Sequence, residues 1–348
     1  MQQLTFVSPG KLEWRDVPAP ALRNAAEALV RPVASSTCDL DHLIISGQTP
    51  FQGPFPIGHE CVAEVVDIGD GVRHVRPGQL VVLPWHINCG ACAQCRTGRP
   101  ALCQSTPPAA SYGIPSPSGE HWGGTFDELV RVPYADAMLV PVPEDMDHIA
   151  LVAAGDNMTI ALEFTAGHLH RNKDARVLVL APSTPSGGSV ALFAVEMMRS
   201  MGASRITYVD DDAARRSMAA MLGASVESGP LRRELGVFDL VFDGSLDSAR
   251  LAQAFRLVAP GGSIESAGGH FGKIEVDLLR MYTLNVGFHM GIANAGMFVR
   301  DAIDRVRQGR VRPGIVLGDA TPMDDAAQSL LEPAVKPVFV RDRIGPAR

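Results

Sequence analysis

The chain has 348 residues, 46% of them apolar and 6% aromatic, with a formal net charge of −7. That length exceeds one ordinary domain and points to two. A negative balance without any Lys/Arg run argues against nucleic acid, and no apolar stretch approaches the roughly 20 residues of a membrane helix, so small-molecule chemistry is the expectation.

The opening segment, MQQLTFVSPGKLEW, lacks the basic-then-apolar pattern of a secretory signal, and a soluble, cytoplasmic protein is expected. Through the first 150 residues short β-like runs recur: TFV, ALVRPVA, VAEVVDI, QLVVLPW and ELVRV. Gly and Pro punctuate them, as in an irregular, mostly β domain. Residues 104–125, QSTPPAASYGIPSPSGEHWGGT, read as a long loop.

From about residue 158 the rhythm changes. ARVLVL reads as a strand, and SVALFAVEMMRSM as a helix with Val190, Ala194, Met197 and Met201 on one face. RITYVD, FDLVFD and GSIESA are further strands, separated by helices over AARRSMAAML and SARLAQAFRLV. This alternation predicts a parallel sheet of βαβ units. The last fifty residues hold a helix, FVRDAIDRVRQG, and two short apolar strands, GIVL and PVFV, expected to pack back onto the first domain.

Cys89, Cys92, Cys95 and Cys103 follow a C-x2-C-x2-C-x7-C spacing. Four thiolates so close can wrap one tetrahedral zinc, with Gly90 and Gly98 letting the chain turn around it. No coordination position remains open, so the site is structural; an iron–sulfur centre is the smaller alternative. The other cysteines are Cys38, in STCDLDH, and Cys61, in GHEC; His59 and Glu60 stand beside the latter and Asp156 lies far along, in AAGDNMT.

With Cys38, then GHECVAEVVDIGDGV (58–72), then the four-cysteine lobe and a βαβ half, the chain resembles the zinc-containing medium-chain dehydrogenase/reductase family of alcohol, polyol and threonine dehydrogenases. The resemblance implies a catalytic zinc held by Cys38, His59 and Asp156, with Glu60 as a neighbouring or exchangeable ligand and Cys61 as core. A fourth position is then open to water or substrate oxygen, where zinc lowers the pKa of a bound alcohol or polarises a carbonyl. The family commonly carries Ser or Thr two residues after the first cysteine as a proton relay; here Leu40 stands there, with Asp39 and His42 as candidate substitutes. Ala63 also replaces a family glycine.

The nucleotide turn is unusual. The strand VLVL ends at Leu180, Ala181–Pro185 intervene, and only then do Ser186, Gly187, Gly188 and Ala191 follow. Read back from the helix, the glycines permit close backbone approach, Ala191 permits tight packing, and the first helical N–H groups face a pyrophosphate. Asp210 lies 19 residues beyond Ala191, at the distance expected of an acid that binds the ribose of NAD. Asp211 and Asp212 would repel a 2′-phosphate, while Arg215 and Arg216 would offset this or simply form the polar face of a helix. Lys336, in AVKPVFV, matches a family lysine that approaches the pyrophosphate.

The expected fold is therefore α/β: a GroES-like β-rich catalytic domain (1–157, completed by 300–348) and a Rossmann doubly wound parallel-sheet domain (158–299). Two Zn2+ per chain, NAD(H) in preference to NADP(H), a small alcohol or carbonyl substrate and a homodimer or homotetramer complete the expectation. The rival readings are a reductase of an imine or activated double bond on the same scaffold, and a zinc-binding homologue without catalysis.

Overall fold

The computed structural model describes residues 1–115 and 121–345. The first part of the chain forms β1 (Gln2–Ser8), β2 (Lys11–Asp16), β3 (Ala28–Ser36), α1 (Asp39–Ile45), β4 (Phe55–Pro56), β5 (Glu60–Ile68) and β6 (Leu80–Leu83). It continues through α2 (Ala93–Arg96), β7 (Val130–Val132), α3 (Ala135–Met138) and β8 (Val140–Pro141). The second part comprises α4 (Asn157–Arg171), β9 (Arg176–Leu180), α5 (Ser189–Ser200), β10 (Arg205–Val209), α6 (Ala213–Met221), β11 (Ser225–Glu227), β12 (Phe238–Asp243), α7 (Ser248–Ala254) and β13 (Val258–Ser266). After it come α8 (Leu278–Leu284), β14 (Gly287–Met290), α9 (Val299–Arg307), β15 (Ala320–Pro322), α10 (Ala326–Ser329) and β16 (Val338–Val340).

One sheet runs β15-β16-β3-β5-β6-β8, with β7 also paired to β3, and a small sheet, β2-β1-β4, flanks it. The chain's end thus returns to the first domain, as its apolar PVFV run suggests: β16 lies antiparallel to β3. GIVL, expected as a strand, is instead a 3-10 turn over Pro313–Ile315, and the paired strand is Ala320–Pro322. Proline at the head of that segment removes a ladder donor, and Val316 is buried without pairing.

The other sheet runs β11-β10-β9-β12-β13-β14 and every pair in it is parallel. In sequence this is the order 3-2-1-4-5-6 of a doubly wound sheet, whose switch point lies between β9 and β12. Val177–Leu180 on β9 and Leu240–Phe242 on β12 are buried throughout, which is why they read as unbroken apolar runs. Helix α5 is buried on every side from Ser189 to Met198 rather than along one face, because α4 packs along it and β9 and β12 lie beneath. Residues 104–115 and 121–125 form irregular loop, as expected; 116–120 lie outside the described residues. Among the described residues no helix is long and apolar enough to cross a membrane.

Candidate functional site

Three segment ends converge between the domains. Cys38 ends the run after β3 and caps α1, His59 immediately precedes β5, and Asp156 caps α4. Their ligand atoms, the Cys38 thiol sulfur, a ring nitrogen of His59 and an Asp156 carboxylate oxygen, all lie within 4.8 Å of one another. All three residues are buried, at 6%, 2% and 2% exposure. His59 Nε2 is 3.5 Å from Asp156 Oδ2.

The surroundings show what such a set demands. Burial pushes the Cys38 thiol up, and the Asp156 charge adds to the shift. Burial alone would lower His59, but the Asp41 and Asp156 carboxylates hold it well above the ordinary imidazole value. Burial likewise opposes charge on Asp156, yet the His59 contact keeps its carboxyl below the usual range. A soft thiolate, an imidazole and a carboxylate, desolvated and brought to one point, fit a zinc ion with one position free.

Two supporting residues were not singled out from the sequence. Asp41 Oδ1 faces His59 Nδ1, and Asn157 donates through Nδ2 to Cys38 Sγ and to Asp156 Oδ2, each at 3.2 Å. Asp41 carried a local signal: an acid three residues beyond the helix cap closes a capping box, and Cys38 N donates to its Oδ2 at 2.9 Å. Cys61 is buried core, as expected.

Glu60 is placed elsewhere than among the ligands. Its carboxylate accepts from Asn157 N at 3.0 Å and from Lys336 Nζ, which also donates to Thr37 O and Asn157 Oδ1, each at 2.7 Å. The three ammonium donors of Lys336 are thereby engaged inside the protein, so this lysine is not free for a pyrophosphate. The relay substitutes also have other partners: His42 Nε2 lies 3.2 Å from Thr37 Oγ1, and Asp39 faces α5.

The four lobe cysteines gather in the same way, their sulfurs within 4.8 Å of one another. Gly90 (φ +68°) and Gly98 (φ +77°) turn left-handed around them. Backbone N–H groups of Ala91 and Cys92 point at the Cys89 sulfur and that of Gln104 at the Cys92 sulfur, at 3.3–3.4 Å. Such bonds favour thiolate: the Gln104 N–H, with Cys95, brings Cys92 down to about 6. None of the six cysteines of the chain is paired in a disulfide.

At the nucleotide turn Gly187 (φ +84°) and Gly188 (φ +92°) are both left-handed, and Gly188 caps α5. The donors of Gly187 and Ser189 are already engaged. Gly187 N donates to Ala334 O at 2.8 Å; Ser189 donates to Asp39 Oδ1 through N at 3.0 Å and Oγ at 2.7 Å. Ser186 offers its carbonyl to Thr184 Oγ1 at 2.8 Å. Asp210 lies one residue past the end of β10, and it is paired with Arg215, whose Nε and Nη2 meet its two oxygens at 2.7 and 2.8 Å. Arg215 is thus buried against the glycine turn rather than on a polar helix face.

Over the three ligands opens a cavity of about 420 Å³. Leu40, Phe51 and Trp85 wall it from the β domain, and Leu246, Phe271 and Met290 from the parallel-sheet domain.

Residues 24–144 match the family model described as the alcohol dehydrogenase GroES-like domain. The chain is 25% identical over 343 residues to zinc-type alcohol dehydrogenase B of Aspergillus flavus, covering 94% of this chain and 77% of that one. It is 26% identical over 335 residues to a probable zinc-binding alcohol dehydrogenase of Mycobacterium tuberculosis, covering 94% and 84%. Among solved structures, an alcohol dehydrogenase from Thermus sp. ATN1 superposes with a TM-score of 0.85 at 26% identity, over 98% of this chain and 99% of that one. Zinc-type alcohol dehydrogenases thus run nearly the whole length of the chain, and one superposes over both of its parts, so this chain is similar throughout to zinc-containing alcohol dehydrogenases and carries their GroES-like domain over 24–144.

Proposed function

We propose that this protein is a zinc-dependent oxidoreductase that interconverts a small alcohol and its aldehyde or ketone at the Cys38–His59–Asp156 centre. The observation that carries this reading is the convergence of three buried ligand atoms of zinc type at the floor of an apolar cavity. When bound, the zinc supplies Lewis acidity, favouring alkoxide or polarising a carbonyl. The chain's own residues do the rest. Asp41 orients the His59 ring, Asn157 donates to both Cys38 and Asp156, and Leu40, Trp85 and Phe271 keep the pocket apolar and dry. That wall suits an apolar substrate better than a polyol. Catalytic chemistry is favoured over a merely zinc-binding homologue because the ligand set is complete and opens onto a cavity.

A second zinc at Cys89, Cys92, Cys95 and Cys103 is part of the same proposal, as is the division into 1–157 with 300–348 against 158–299. The hydride carrier is proposed to be a nicotinamide dinucleotide, NAD(H) in preference to NADP(H), on the strength of Asp210 directly after β10. The cavity has room for a nicotinamide, but the phosphate end does not fit as it stands, because Asp39 and Arg215 hold it. Assembly as a homodimer or homotetramer is supported by the edge strand β14, exposed along its length, and by Leu278, Leu279 and Tyr282 of α8, also exposed.

The test is a screen of alcohols, aldehydes and ketones with zinc-loaded protein and either NAD(H) or NADP(H). Turnover that disappears in Cys38→Ser supports the reading; no turnover of any substrate with either dinucleotide overturns it.

A further inference from the structure

We infer that Asp39 is a built-in occupant of the phosphate position in the dinucleotide cradle, so that a nicotinamide dinucleotide binds only after the Asp39 bridge to α5 opens. This rests on the reading that such a dinucleotide is the hydride carrier.

In a doubly wound sheet the N-terminus of the helix after the first strand is the place for a pyrophosphate, held by free N–H groups and the helix dipole. Here that helix is α5. Its first donors serve a carboxylate of the other domain: Ser189 N and Oγ reach Asp39 Oδ1, and Val190 N points to Oδ2 at 3.4 Å. Asp39 is 3% exposed and lies directly against the turn: a Cβ placed on Gly187 would come within 3.1 Å of Oδ1. An anion already complements the dipole there. A pyrophosphate brought to the same donors meets a like charge in a site shielded from water, where repulsion is strong.

Arg215 closes the other side. It bridges Asp210 and donates through Nη2 to Pro182 O and through Nη1 to Thr184 O, each at 3.0 Å. Its side chain lies over Gly188, where a Cβ would stand 2.4 Å from Arg215 Cδ. The space a glycine leaves for close approach of phosphate is filled by protein. The acid that would bind a ribose is paired as well. Asp39 comes from α1 of the β domain and Ser189 from the parallel-sheet domain, so opening this bridge means parting the domains at the turn. The substrate end remains an open cavity while the phosphate end is closed.

Calorimetric titration of the zinc-loaded protein with NADH, NADPH and ADP-ribose tests this without turnover. Asp39→Asn keeps an acceptor for Ser189 and removes the charge; Asp39→Gly removes both. Tighter binding by about tenfold in Asp39→Asn, or ~1.4 kcal/mol, and at least as much in Asp39→Gly, is expected. The gain must include ADP-ribose, which carries the pyrophosphate without nicotinamide. Wild-type binding as tight as in the variants, or a gain absent with ADP-ribose, overturns the occupant role and leaves the dinucleotide reading standing. No binding of any of the three ligands to any of the proteins overturns both. Zinc content and thermal melting of each variant show that it is folded.

Discussion

Asp41 Oδ1 lies 3.3 Å from His59 Nδ1, and neither buried atom makes a hydrogen bond to any other partner among the described residues. A metal on Nε2 leaves the ring proton on Nδ1, facing that oxygen, so the acid fixes both tautomer and ring orientation. The other oxygen of Asp41 holds Cys38 N, and one carboxylate therefore ties two ligands together. Asp41→Ala is expected to weaken zinc at this centre by about 10–100-fold, with Asp41→Asn between it and wild type. Zinc retained against a graded series of chelator reads this out, and unchanged retention in Asp41→Ala refutes it.

The two proposed metal centres should separate by mutation. Asp156→Ala removes one ligand of an open site whose walls are packed independently, so the protein keeps its fold and its lobe zinc while turnover vanishes. Cys95→Ser strikes a closed four-thiolate site that supports folding directly. Its zinc loss should come with a lower melting temperature. Metal analysis showing that either variant loses both zincs together contradicts independent centres.

Lys336 and Glu60 are wholly buried and paired. Burial raises the Glu60 carboxyl to about 7 even with Lys336 opposing the shift. Lys336→Met should cost about 3–5 kcal/mol in urea unfolding, since it leaves Glu60 to take up a proton and strips Thr37 O and Asn157 Oδ1 of their buried donor. Adding Glu60→Gln should recover much of that loss, because both charges are then gone. A double variant no more stable than Lys336→Met would show that packing, not charge, governs this pair.

Asp127 gives the fold a pH dependence. It is fully buried, its Oδ2 accepts from Gly124 N at 3.0 Å and Gln3 Nε2 at 2.9 Å, and its Oδ1 has no partner among the described residues. Burial pushes its carboxyl up to about 7 from 3.8. The folded chain then holds a proton that the unfolded chain has released, so this group's contribution is present below 3.8 and lost as pH rises through about 7. Asp127→Asn should flatten the fall of melting temperature across that window; parallel pH profiles for the two proteins refute this.

The parts of this molecule legible in its sequence are those set by local pattern. Buried parallel strands must be apolar on both faces, so VLVL and FDLVFD stood out, and the four lobe cysteines lie within fifteen residues of one another. Partnerships across long loops left no such mark. Lys336 meets Glu60 across 276 residues and Asp39 meets Ser189 across 150. Nothing in the residue types at those positions separates a buried pair from two solvated charges. GIVL shows the converse limit: Val316 is buried and Ile315 and Leu317 partly so, but burial alone does not specify whether a short segment pairs or turns.

Arg215 illustrates how a charged residue of helical spacing becomes structural. Its guanidinium joins Asp210 to Pro182 and Thr184, carbonyls of the Ala181–Pro185 lip that separates β9 from the glycine turn. The Asp210 carboxylate has only the Tyr208 hydroxyl, at 2.8 Å, and Asp212 N, at 2.9 Å, as its other partners among the described residues. Arg215→Ala leaves a buried carboxylate without countercharge and should cost about 3–5 kcal/mol of stability. Arg215→Lys should restore only part, because an ammonium lacks the planar fork that reaches both carboxylate oxygens and two carbonyls. The lip loses its anchors in both variants, so limited proteolysis should cut within 181–188 faster than in wild type. Equal stability and equal cleavage for Arg215→Ala and wild type would mean that the lip is held by its own backbone instead.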